Sequence, residues 1–102
     1  MEILRKDFET SRGKLEGIQV KWPGFNVLWV AGAKGFLACG AFDVEACQKF
    51  GVASAIVRSS PENPIGTLEN FPNRDIKQAN AAARALGIRE GMPVTEAMVL
   101  IA

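Results

Sequence analysis

The sequence predicts a single α+β domain in which an antiparallel meander of four strands is followed by a short helix, one further strand and two helices packed on the sheet. Three observations predict it. Residues 2–42 fall into short runs in which apolar and polar side chains alternate, separated by turns that carry glycine or proline, the pattern of strands. Residues 76–101 instead repeat apolar side chains at spacings of three and four, the pattern of helices with one buried stripe. The chain has 102 residues, 48% of them hydrophobic and 23% charged, which suffices for one core and is too short for two. The expected division is a mainly β region over 1–42 and a mainly helical one over 43–102.

The first two strands are expected over Glu2 to Glu9 and Leu15 to Trp22, with the turn at Ser11-Arg12-Gly13-Lys14 between them. In the second, Ile18, Val20 and Trp22 alternate with polar residues and give the hairpin its buried face. Pro23-Gly24 turns the chain into Phe25 to Ala31, which is apolar at nearly every position and so reads as a strand covered on both faces. After Gly32-Ala33-Lys34-Gly35 a fourth strand runs from Phe36 to Phe42. Asp43 then caps a helix from Val44 to Phe50, stopped by Gly51, with Val44, Cys47 and Phe50 facing inward. The β-branched run Val52 to Arg58 makes the fifth strand, and the prolines and glycine of residues 59–66 exclude regular structure. Thr67 caps a helical turn at Leu68 to Phe71, and Pro72-Asn73-Arg74-Asp75 opens a longer helix lasting to Gly87, with Ile76, Ala79, Ala83 and Leu86 as its stripe. Pro93 starts the last helix, in which Val94, Ala97, Met98 and Ile101 face the core.

Composition narrows the chemistry. Lys and Arg number 12 against 11 Asp and Glu, and no segment gathers the basic residues into a phosphate-binding stripe, so no nucleic acid is expected as a partner. The opening residues carry no apolar run and no stretch approaches the ~20 apolar residues of a membrane span, so neither signal peptide nor membrane association is expected. Two cysteines are too few for a disulfide-stapled secreted fold, and the reducing cytoplasm is the expected location. The absence of histidine removes imidazole bases, histidine metal ligands and every Ser-His or Cys-His pair.

The most suggestive segment is Cys39-Gly40-Ala41-Phe42-Asp43, where a strand runs into a helix N-terminus whose partial positive charge favours a thiolate. Cys39 is thus a candidate nucleophile with Asp43 at the helix start and Arg58 as stabilising cation, against the plainer and preferred reading of a small core side chain beside a cap. Cys47, eight residues on, fits no metal knuckle or CxxC spacing, so no metal and no cofactor are expected. Arg58 and Thr67 together are candidates for holding a small anion such as a carboxylate, against the plainer reading of a surface arginine and a cap. Lys34-Gly35-Phe36 copies three residues of an RNA-recognition consensus, but Ala38 stands where its next aromatic belongs.

Taken in order, the stretches from Gly35 to Val44, Gly66 to Glu69, Ala82 to Met92 and Thr95 to Ala97 resemble the YunC-like family of bacteria and archaea, whose function is unknown. The CGAxD stretch at Cys39 to Asp43 and the GIxxGM stretch at Gly87 to Met92 carry most of that resemblance. The resemblance implies a β-rich N-terminal region used for self-association and implies no established activity. The sequence departs from the family pattern over Ala53-Ser54-Ala55 and Arg58-Ser59-Ser60, where a more glycine-rich segment is expected. Two functions are expected in order: a small homo-oligomeric binding or structural module with an unidentified small-molecule ligand, and, as the alternative, a thiol-dependent enzyme or sensor at Cys39.

Overall fold

In the computed structural model, which describes residues 1–62 and 64–102, the alternating N-terminal runs form β1 (Glu2–Thr10), β2 (Gly13–Trp22), β3 (Phe25–Ala31) and β4 (Gly35–Ala38). Each pairs antiparallel with the one before it, which is the expected meander. The chain then crosses through α1 (Val44–Gln48) and lays β5 (Ala53–Val57) parallel to β4, the crossover that a parallel pair requires. A further strand, β6 (Ile76–Ala79), pairs antiparallel with β5 and completes a sheet of order β1-β2-β3-β4-β5-β6. A 3-10 turn at Phe71–Asn73 precedes β6, and α2 (Ala81–Ala85) and α3 (Val94–Ile101) follow it.

The sheet therefore has six strands where five were expected, and the helix expected from Pro72–Asp75 to Gly87 is instead a 3-10 turn, a strand and a short helix. The reason is a bulge. Ala55 pairs with Ala79 and Ile56 with Gln78, but Val57 pairs with Ile76, so Lys77 is the extra residue in β6. The insertion lets Ile76 and Ala79, three positions apart, both turn inward, and both are buried. A helix stripe and a bulged strand thus leave the same spacing. Two elements are also shorter than expected: β4 ends at Ala38 rather than Phe42, and α1 at Gln48, leaving Phe50 84% exposed rather than inward. Asn63, within the expected irregular loop, lies outside the described residues.

Register assigns the faces, because directly opposed residues point the same way. Leu15, Val30, Leu37, Ala55 and Ala79 lie on one face and join Leu68, Phe71 and the α3 stripe Val94, Ala97, Met98 and Ile101 in the main core. The core face of β2 is therefore Leu15, Gly17 and Gln19, not the expected Ile18, Val20 and Trp22, which point to the other side. Phe8 opposite Leu15 explains the choice, since it packs on the same core. On the second face, the row Trp29, Ala38, Ile56 runs beneath α1, whose buried Val44 stands outside the main core. Within one chain β3 is fully covered on one face only: Leu28 and Val30 are buried, Val27 and Trp29 in part.

Asn80 joins the two layers. It is fully buried and caps α2 by accepting from Ala83 N at 2.9 Å, while its Oδ1 also accepts from Ser54 N on β5 at 3.2 Å. Its Nδ2 donates to Val44 O at 2.9 Å and Val52 O at 2.8 Å, at the start of α1 and just before β5. Close approach elsewhere falls to Gly35, opposite Ala53 in the parallel pair, where a Cβ would run into the Ala53 carbonyl. Gly35→Ala is expected to cost about 1–3 kcal/mol, because the obstacle is backbone that cannot rotate away. Denaturant unfolding with an unchanged m-value would register it.

Candidate functional site

Because β4 and β5 are parallel, both release their chains at the same end of the sheet, and the loops that follow converge there with the start of the antiparallel β3. They enclose a groove of about 230 Å³. One wall is Phe25, Asn26 and Leu28; the second is Cys39, Gly40 and Ala41; the third comes from Ser59 and the segment Pro64 to Gly66. None of these lining residues carries a charge.

Cys39 is fixed by its backbone. Its N–H donates to Leu28 O at 3.0 Å, and its carbonyl accepts from Phe42 N at 3.3 Å, which turns the chain at once after β4. The thiol is free and half-buried in the wall. The third wall is shaped by Ser59, whose Oγ accepts from Ile65 N at 3.0 Å. Gln19, only 2% exposed, ties two walls together: its Nε2 donates to Asn26 Oδ1 at 3.3 Å and to Gly66 O at 3.0 Å.

Of the candidate site residues Cys39, Asp43, Arg58 and Thr67, Cys39 alone lines this groove. Asp43 turns its carboxylate to the amides of α1, accepting from Glu45 N at 3.1 Å and Ala46 N at 3.0 Å. Arg58 sits at the end of β5, exposed, with its Nε on Asp75 Oδ2 at 2.9 Å. Thr67 accepts from Asn70 N at 3.2 Å, a local turn contact. Arg58 and Thr67 thus have separate partners and do not line the groove. Cys47 is half-buried on α1, and Lys34 belongs to the opposite end of β4. Among the described residues no group of three or more Cys, Asp or Glu side chains is placed to hold a metal ion, and no helix is long and apolar enough to cross a membrane.

Gln19 and Asn26 were not foreseen as site residues. In the sequence Gln19 reads as the polar half of an alternation, and only the pairing of Leu15 with Phe8 reveals that its face is the inner one.

The whole architecture recurs in the crystal structure of TA1206, a protein of unknown function from Thermoplasma acidophilum. That structure aligns with a TM-score of 0.85 at 18% identity, covering 99% of this chain and 94% of that one. At this identity the likeness establishes a common fold alone. No curated protein matches the sequence significantly. Residues 38–101, from the end of β4 through α3, match the family described as a domain of unknown function, DUF1805. That match takes in well over half of the sequence, including the Cys39 to Asp43 turn, and the chain belongs to the DUF1805 family, whose function is unknown.

Proposed function

We propose that the protein is a small homo-oligomeric binding or structural module of the cytoplasm, a YunC-like member of its family, assembled through the open face of its N-terminal strands. One observation carries the reading. The helices lie chiefly against β4 and β5, while the second face of β1 to β3 presents Ile3, Val20 and Val27 in one cross-strand row and Trp22 with Phe25 in the next. Ile3 is 60%, Trp22 38% and Phe25 52% exposed, and an apolar sheet face of this kind marks an interaction surface.

A second copy of the chain is the occupant that suits it. The same face continues into Arg5, Asp7 and Glu16, charges of both signs, with Arg5 and Glu16 paired at 3.1 Å. A patch with charges of both signs beside an apolar centre suits an isologous contact, in which the same patch meets itself about a two-fold axis. The free state of both cysteines accords with a reducing compartment. The thiol-dependent alternative keeps Cys39 in a groove wall, while Arg58, the cation it invoked, pairs with Asp75 and is not among the lining residues.

Size-exclusion chromatography with light scattering tests the proposal. A mass of two or more chains at micromolar concentration is expected, and a stable monomer there would overturn it.

A further inference from the structure

Two other places in the molecule come close to a site. The cleft at the opposite end of β4, between Gly32 to Gly35 and Gly51 to Ala53, is built by close-packed glycines whose approach to Ile101 and Ala53 already accounts for them. The Arg58–Asp75 pair is exposed and satisfied. The groove between the loops after β4 and β5 is different, because a buried side chain has been committed to shaping it.

That side chain is Gln19. Burying an amide is unfavourable unless it is hydrogen-bonded, and here its Nε2 spans from β3 to the 64–66 segment, holding both walls at fixed separation. The bond also sets the polarity of Asn26. With Oδ1 occupied by Gln19, the remaining polar group of that side chain is Nδ2, which has no partner among the described residues. No buried side-chain nitrogen or oxygen among the described residues lacks a partner, so Nδ2 reaches solvent. Asn26 lines the groove, and Nδ2 is its side-chain donor left without a partner. The rest of the lining is apolar or neutral, so a charged ligand would be desolvated there without compensation. The groove lies outside the carboxyl ends of the parallel pair, β4 and β5, where the two following loops part.

We infer that this groove is a binding site for a small uncharged molecule bearing a carbonyl oxygen of amide or imide type, which accepts from Asn26 Nδ2 and lies against Cys39. The volume of about 230 Å³ limits the occupant to a compact group or to one end of a longer molecule. Phe25 borders both this groove and the open sheet face, but the inference rests on Asn26 and Cys39, which the assembly reading does not use.

N-Ethylmaleimide is the probe, since it is neutral, carries two imide carbonyls and reports its own residence by reacting. The Cys39 thiolate adds to the ring double bond and the adjacent carbon takes up a proton. In a Cys47→Ser background, labelling of Cys39 is followed by mass spectrometry with N-ethylmaleimide and with its anionic relative 3-maleimidopropionate. Relative to free cysteine, the neutral reagent should be favoured at Cys39 by about tenfold, the value of roughly one hydrogen bond. Asn26→Leu should return the preference to that of free cysteine. Asn26→Asp, which keeps the acceptor for Gln19, should slow N-ethylmaleimide by a similar factor and serves if the leucine variant does not fold. A preference equal to free cysteine, indifference to both Asn26 variants, or protection of Cys39 from both reagents in the folded protein would each overturn the inference. Light scattering on the same samples reads the oligomeric state independently.

Discussion

Asn80→Ala is expected to destabilise the fold by about 3–5 kcal/mol, the largest loss expected of any single polar truncation in the chain. The side chain is wholly buried, and it serves β5, α1 and α2 at once. Removing it takes the partner from the buried Ser54 and Ala83 amides and Val44 carbonyl and from the part-buried Val52 carbonyl, and leaves a void between the layers. Equilibrium denaturation would show the loss as a shift of midpoint. At about 4–8 °C per kcal/mol for a domain of this size, the thermal midpoint should fall by well over ten degrees. Asn80→Asp separates the two halves of the network: it retains the acceptor for Ser54 and Ala83 but sets an oxygen against the two carbonyls, and it too should be strongly destabilising. A loss of under about 1 kcal/mol in both variants would mean that the α1–β5–α2 junction is held by packing alone.

The same residue explains what was hidden in the sequence. The meander was legible because each strand carries its own alternation and its own turn, and both are local. The α3 stripe was legible for the same reason, and all four of its expected core residues are buried. The segment from Asn73 to Gly87 was not, because its spacing of apolar residues fits a helix as well as a strand with one extra residue, and the bulge at Lys77 exists only relative to β5. Asn80 was the available signal. It precedes three alanines and is a favoured helix N-cap, so the helix begins there and the residues before it are free to be a strand.

The groove divides in a similar way. Cys39 at the end of a strand could be singled out by its neighbours in the chain. That it meets Gly66 and Asn26 follows from the parallel pairing of β4 and β5 and from the inward turn of Gln19, neither of which leaves a local mark. The anion-holding role expected for Arg58 and Thr67 rested on their positions before the proline-rich loop and at the start of a helical turn, and so did the plainer reading of a surface arginine and a cap. Their partners, Asp75 and Asn70, lie 17 and three positions away along the chain, and each turns out to be a structural contact.

If the open sheet face is the assembly surface, Trp22→Ser combined with Phe25→Ser should convert the oligomer to monomer at micromolar concentration. The two rings meet edge to face with centroids 5.2 Å apart at the turn between β2 and β3, and they stand clear of the main core. Truncation should therefore leave the isolated fold near its original stability while removing the aromatic anchors that dominate interfaces. Each substitution is present in both chains of a two-fold assembly, so at about 2 kcal/mol for each of the anchors lost the dissociation constant should rise by at least roughly a thousandfold. Ile3→Lys, on β1 in the same cross-strand row as Val20 and Val27, should act in the same direction by placing an unpaired charge in the apolar centre. Light scattering reads the mass and circular dichroism the fold. Retention of the oligomer by a folded Trp22→Ser/Phe25→Ser variant would move the interface elsewhere, and the outer edge of β1, an edge strand of nine residues, would then be the surface to test.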